Sequence, residues 1–580
     1  MYAHGKTIYG KQNGNGIPAE VHEWKWWAGV KDRYFDKIKD HAAGFGSASA
    51  LPDMERLRKV RLFDTTGRDG MQMPDAFLTE ERGISVMQNK IDIAVELAKW
   101  GIPIIEVGSA MSSPEEKAAI KEAKRRVARM GLSSEIVSLA RTERRDIDDA
   151  RGSDADIIHI FSSGSILHTW IKFNKMPSEV IGEVIDAVRY AREVGFTKMV
   201  VSLEDAARAD PDHLVEVAKR VYDAAGDSAH YNIPDTLGVS DPAYMFSLIS
   251  YIRSQVPELP LQVHCHNDRG LAVANSMAAI YAGVSEVHAT MHGMGERTGN
   301  AALEQIVLNL YTDHGIALVD PEGIMRISAF ITERSGIRAP VNAPVVGRNA
   351  FWHASGVHGD AVDKSQRSGF TTRGGVDGGS IYACYNPAAV GRKEEMGVDG
   401  QLIGRANVKY RLAEFGISVP DDVVPAIVRA VKERAASRKV SDADFLLMTY
   451  GIVAGRQCEK VKVEDMEIST GTNGPSAYVK LNLNGSPSEG RASGNGPVDS
   501  AVHAIKDAMG KNGVDIAYYE SKAIGEGSNA GARVTLTIAK GNQKIESSVV
   551  GTDTVLIGIE AFVKGLNAMY ALEELQQGSY

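Results

Sequence analysis

The chain has 580 residues, 43% of them hydrophobic and 24% charged, and a formal net charge of −9. That length exceeds one core and predicts two to four domains, while mild acidity argues against a nucleic-acid partner. Three scattered cysteines cannot form a disulfide framework, and neither an 18-residue apolar run nor a signal segment stands out, so a reducing cytoplasm and no membrane are expected.

Residues 1–58 are aromatic-rich (Trp24, Trp26, Trp27) and read as an added helix and arm, a candidate interface. From residue 59 the pattern changes. Short β-rich runs at 60–64, 103–107, 135–139, 156–161, 198–203, 230–233, 260–264 and 286–290 alternate with helical stretches such as 81–99, 114–129 and 178–194. Eight such alternations over roughly 250 residues predict an α/β fold, a (β/α)8 TIM barrel at 59–336, with a doubly wound sheet as the competing architecture. Linker subdomains follow at 337–440, with a helix at 408–415. Residues 441–580 read as a C-terminal α/β regulatory domain. Its strands fall at 477–483, 518–522 and 533–538, and its helices at 498–509 and 558–571.

The first strand ends in Asp64-Thr65-Thr66-Gly67-Arg68-Asp69-Gly70-Met71-Gln72. Asp69 there can serve as an anionic metal ligand and Arg68 can polarise a carbonyl; a helix-capping aspartate with a paired arginine is the plain alternative. The fifth strand ends in Glu204-Asp205-Ala206-Ala207-Arg208, two acids facing opposite ways. One, with Glu204 taken as the catalytic candidate, suits the barrel mouth as a base or as a group supporting the site, and the other a pairing with Arg208. After strand six, Thr236 offers a hydroxyl to a substrate carboxylate, and Asp235 reads equally as a cap.

Strand seven runs into His264-Cys265-His266-Asn267-Asp268. Side chains at i and i+2 of a strand share a face, about 6.7 Å apart along the backbone, so both imidazoles can hold one divalent ion. A strand-eight loop, His292-Gly293-Met294-Gly295-Glu296-Arg297-Thr298-Gly299-Asn300, is glycine-rich but lacks the spacing of a dinucleotide fingerprint. Gly494–Gly496 and Gly525–Ser528 suit either tight turns or backbone approach to a small ligand.

Taken in order, the segments Asp64–Gly70, His264–Ser276, Gly295–Asn300, Ser355–His358, Gly404–Lys409 and Gly494–Asp499 resemble the α-isopropylmalate synthase family. The resemblance implies a Claisen-type condensation of acetyl-CoA, as co-substrate, with a 2-oxo acid, 2-oxoisovalerate giving 2-isopropylmalate for leucine synthesis. It implies a divalent metal (Zn, Mg or Mn) on Asp69, His264 and His266, with Asn300 in or near the coordination sphere. Arg68 would hold the keto oxygen. Glu204, Thr236 and Gln72 would line the substrate pocket, with His168 closing it. His358, from a partner subunit of a homodimer, would move a proton, and the C-terminal domain would bind an amino-acid effector of the leucine type.

Two departures from the family pattern bear on the acceptor: Met71 replaces an acid beside Asp69, and His292 replaces an asparagine. The competing readings are an (R)-citramalate or other 2-alkylmalate synthase, an acyl-CoA lyase or aldolase, and a non-catalytic amino-acid sensor.

Overall fold

Eight short strands, buried on both faces, close into a parallel barrel in sequence order. They are β1 (Arg61–Asp64), β2 (Ile104–Gly108), β3 (Glu135–Arg141), β4 (Ile157–Ser163), β5 (Met199–Glu204), β6 (Ala229–Asp235), β7 (Leu261–Cys265) and β8 (Glu286–Ala289). The pairing of Asp64 with Ala289 seals β1 against β8. This computed structural model describes residues 27–42, 53–76, 84–368, 378–398, 400–472, 474–510, 513–527 and 530–578. Trp24, Trp26, Ser528 and the start of the helix expected at 81–99 lie outside the described residues.

The crossover helices follow from local chemistry. Helix Pro114–Arg129 starts where Ser113 accepts the Glu116 N–H, carries Pro114 in its first turn, and has acids at its N-terminus and Arg126 and Arg129 at its end. Its buried residues, Ala119, Ile120, Ala123 and Val127, share one face. Gly101, at φ 100°, ends helix Val86–Trp100 in a left-handed cap that a side chain would strain.

The barrel interior is partly polar, which sets it apart from an all-aliphatic core. Asn232 Nδ2 donates to Ser202 Oγ at 2.7 Å, and the same hydroxyl lies 2.6 Å from His159 Nε2. Near the opposite end Gln262 and His230 meet Glu286, which also pairs with Arg61. Helix Trp27–Ile38 packs on the barrel's own flank: Ile38 is buried, Lys37 pairs with Asp210 and Asp212, and Phe35 lies 6.4 Å from Tyr244.

A second compact unit gathers the described residues within 351–371, 380–382 and 394–580. It contains a two-stranded parallel sheet, β9 (Trp352–His353) with β10 (Glu395–Met396), and helices including Arg405–Glu414, Val424–Ala435 and Asp442–Ala454. A repeated pattern of three antiparallel strands and a helix follows. The first copy is β11 (Val461–Ser469), β12 (Ser476–Leu483) and β13 (Ser486–Ser493) with helix Pro497–Ala508. The second is β14 (Val514–Ile524), β15 (Gly531–Lys540) and β16 (Gln543–Gly551) with helix Thr554–Gln577.

One core runs from Val398 to Leu575 without a break at residue 440. Helix Thr554–Gln577 is long and apolar enough to cross a bilayer, yet Phe562, Leu566, Met569 and Leu572 are buried in that core, which accounts for its composition. A cavity of about 1040 Å³ also lies in this unit, lined by Leu447, Met448, Ile452 and Met466 among others.

Candidate metal centre

Three donor atoms converge above the barrel. Asp69 Oδ2 lies 3.1 Å from His264 Nε2 and 3.9 Å from His266 Nε2, and the two Nε2 atoms are 3.3 Å apart. A triangle with those sides has a centre about 2.0 Å from every corner, the length of a metal–imidazole bond. All three residues are buried. The second carboxylate oxygen of Asp69 and Oδ1 of Asn300 are also buried with no hydrogen-bond partner. Orphaned acceptors of this kind cost free energy unless a cation or water meets them, so the donor set fits a divalent ion.

Local structure puts each group there. Asp64 accepts the backbone N–H of Thr66 at 2.9 Å and its hydroxyl at 2.7 Å, which folds the turn after β1. Burial pushes the Asp64 carboxyl up to about 7, although Thr66 opposes the shift. Asp69 and Gly70 then donate their N–H groups to the Thr65 carbonyl. His264 is the last residue but one of β7, and His266 forms a bridge with Asn300 just beyond the strand. Asn300 Nδ2 donates to the Met294 carbonyl at 3.0 Å, leaving Oδ1 unpaired.

The glycines of this loop answer to packing. A Cβ on Gly299, whose φ is 90°, would sit 1.8 Å from the Gly293 oxygen, and one on Gly295 would meet Asn300 Nδ2 at 2.3 Å.

Charges in the cluster are coupled. Burial alone raises the Asp69 carboxyl, but Arg68 and the two imidazoles outweigh it and hold the group well below the usual carboxylate range. His266 is pushed down to about 3 by burial, with His264 beside it, which keeps the imidazole neutral and able to ligate. Arg68 lies 3.2 Å from Asp69 Oδ2 and donates from Nε to Glu106 Oε2 at 2.7 Å. Glu106 in turn lies 2.6 Å from His159 Nδ1. Burial raises the Glu106 carboxyl, and Arg68 and His159 overcome that to hold it near 2.

A second group of the expected site residues forms at the ends of β4, β5 and β6. His168 Nδ1 lies 3.5 Å from Glu204 Oε1, and Lys172 pairs with the other Glu204 oxygen. Burial raises the Glu204 carboxyl, but His168 and Lys172 bring it down to about 2. Thr236 Oγ1 accepts the Asp205 N–H at 2.8 Å. Asp205 pairs with Arg208, and Asp235 caps the backbone of Val239 and Ser240.

Gln72 is exposed on the short turn Gly70–Gln72. His358 belongs to the second compact unit, where its exposed ring stacks on Tyr382 at 4.0 Å. His292 turns its ring to Ser328 Oγ, 2.7 Å away, and only its backbone N–H, on Glu304, belongs to the loop's own frame. The sequence reading missed Glu106, His159 and Lys172. Glu106 left one signal, a lone acid in the apolar run Ile104-Ile105-Glu106-Val107.

Glu304 yields a stability prediction. Burial raises its carboxyl to about 7, against 4.5 when exposed. A raised acid contributes its full stability below pH 4.5 and loses it as pH rises through 7. Glu304→Gln is therefore expected to stabilise the protein by on the order of 2–3 kcal/mol at pH 8 and by little near pH 4.5. Thermal melts across that range check this, and an offset independent of pH would contradict it.

Known proteins agree with this layout. Residues 59–331 match the HMGL-like family, residues 345–439 the homocitrate synthase post-HMGL domain-like family, and residues 439–570 the LeuA allosteric (dimerisation) domain. The chain is 36% identical to a probable 2-isopropylmalate synthase of Methanopyrus kandleri, over 88% of this chain and 98% of that one. It is 35% identical to the 2-isopropylmalate synthase of Methanocaldococcus jannaschii, over 90% and 97%. It is 33% identical to the (R)-citramalate synthase of the same organism, over 88% and 99%. Similarity of that extent, through all three regions, makes the chain a member of the α-isopropylmalate synthase family.

Proposed function

We propose that the barrel joins the acetyl group of acetyl-CoA to a 2-oxo acid, with 2-oxoisovalerate as acceptor and 2-isopropylmalate and CoA as products. The observation that carries this reading is the convergence of Asp69, His264 and His266 beside the buried Arg68. Asp69, His264, His266 and Asn300 would hold a divalent ion (Zn, Mg or Mn), which when bound supplies Lewis acidity to the acceptor's keto group. Arg68, fixed by Glu106 and Asp69, presents its remaining N–H groups to the oxygen on which charge develops. Thr236 keeps its hydroxyl proton free for the acceptor carboxylate, since its oxygen already accepts from Asp205.

Glu204, held at about 2, is a poor base at neutral pH. We assign it to orienting substrate together with His168. Removal of the acetyl methyl proton falls to His358 supplied by the partner of a homodimer. The carbanion forms a carbon–carbon bond to the keto carbon, the alkoxide takes a proton, and water cleaves the thioester to release CoA.

Thiol release from acetyl-CoA against 2-oxoisovalerate, pyruvate, 2-oxobutyrate and 2-oxoglutarate tests the acceptor. We expect the highest kcat/KM with 2-oxoisovalerate. Preference for pyruvate would replace this reading by the citramalate one, which the similarity to an (R)-citramalate synthase also supports. Residues 441–580 we read as the seat of a small apolar amino-acid effector such as leucine. Inhibition of thiol release by leucine tests this, and is measured on the full chain because removing residues from Val461 onward would expose Phe445, Leu446 and Tyr450 of the shared core. A cytoplasmic location suits the free thiols of Cys265, Cys384 and Cys458.

A further inference from the structure

Asp205, the residue after β5, has φ 64° and ψ 29°, in the left-handed region that glycine enters freely and other residues, aspartate and asparagine most readily, enter at a cost. Such strain persists where the surroundings over-determine it. Here they do. The buried Asp205 carboxylate accepts from Arg208 Nε at 2.7 Å and Nη2 at 2.8 Å, and from the Ser165 hydroxyl. Its backbone N–H donates to Thr236, and Ser165 Oγ accepts the His168 N–H at 3.2 Å. One residue thereby ties together the ends of β4, β5 and β6.

The consequence falls on His168. Arg208 Nη2 lies 3.4 Å from His168 Nε2. A guanidinium has no acceptor, so that ring nitrogen offers its lone pair, and the ring's N–H sits on Nδ1. Nδ1 is buried, makes no hydrogen bond in this arrangement, and has Glu204 Oε1 as its facing oxygen at 3.5 Å. The opposite arrangement, Nε2–H toward Asp205 Oδ2, would span 3.7 Å to an oxygen that already accepts from Arg208 and Ser165.

We infer that the Asp205–Arg208 pair is a positioning device that fixes His168 as its Nδ1–H tautomer and aims that proton at Glu204. Lys172 already pairs with the other Glu204 oxygen, so a proton aimed from Nδ1 at Oε1 favours one orientation of the carboxylate toward substrate. The inference rests on reading His168, Glu204 and Thr236 as pocket residues, yet the tautomer can be measured without turnover.

Nitrogen-15 spectra of histidine-labelled full-length protein, with His168→Gln to assign the ring, give the direct readout. The expected parent signal is Nδ1–H, and Arg208→Met is expected to release the ring to Nε2–H or a mixture. An Nε2–H tautomer in the parent, or Nδ1–H persisting unchanged in Arg208→Met, overturns the inference. Should Arg208→Met fail to fold, Asp205→Asn carries the same test with the same outcomes, because asparagine tolerates the left-handed backbone while loosening Arg208. In the thiol-release assay both variants are expected to lose about 10–100-fold in kcat/KM for the 2-oxo acid, with metal content unchanged and Arg208→Lys partly rescuing. Absence of thiol release from the parent with every 2-oxo acid would instead fault the proposed reaction and leave the tautomer result standing.

Discussion

Asp69→Ala is expected to lower turnover by about 10³-fold or more and to strip the protein of its divalent ion on dialysis, because Lewis-acid polarisation is worth several kcal/mol. Asp69 brings the one carboxylate to the triad; His266 is neutral and Asn300 is an amide. Without it the remaining donors carry no charge to offset the cost of dehydrating a dication. The variant also removes a partner of Arg68, so lost activity alone would be ambiguous. His266→Ala resolves this, since His266 Nε2 approaches Asp69 at 3.9 Å and leaves the Arg68–Asp69 pair intact. Both variants are expected to fall together in activity and in metal content by atomic absorption. Near-parent turnover of either one in metal-replete buffer would sink the assignment.

Why the centre could be read from the sequence, and its surroundings could not, is a matter of spacing. His264 and His266 stand at the i, i+2 separation that a strand converts into one face, and their Nε2 atoms do meet. The barrel strands were legible within a residue or two, because parallel strands buried on both faces read as continuous apolar runs. Glu106 and His159 have no such periodicity: each is a single polar residue in an apolar strand, joined to its partners only once the sheet closes.

The C-terminal repeat shows the same limit. β12 and β15 alternate buried and less buried residues and were expected. β13, Ser486-Pro487-Ser488-Glu489-Gly490-Arg491-Ala492-Ser493, has no alternation to find, and its pairing with β12 alone makes it a strand. β11 and β16 were missed for a related reason: as partners on only one side of their sheets, they keep polar residues on exposed positions.

Arg68→Ala is the second large effect, expected to lower kcat by about 10²–10³-fold, the usual loss when one preorganised donor to a developing oxyanion is removed. The side chain is clamped from two directions, by Glu106 at Nε and by Asp69 at Nη1, so its free N–H groups are oriented before substrate arrives. Arg68→Lys keeps the charge but cannot span both carboxylates with a single ammonium, and an intermediate loss is expected. The alanine variant should also lose stability, since it leaves Glu106, buried and ionised, without its strongest partner. Adding Glu106→Gln to Arg68→Ala removes that stranded charge, so the pair should melt higher than Arg68→Ala alone while kcat stays low. A kcat for metal-loaded Arg68→Ala within about threefold of the parent would show that the oxyanion is stabilised elsewhere. Recovery of kcat in the double variant would show that Arg68 serves only to neutralise Glu106.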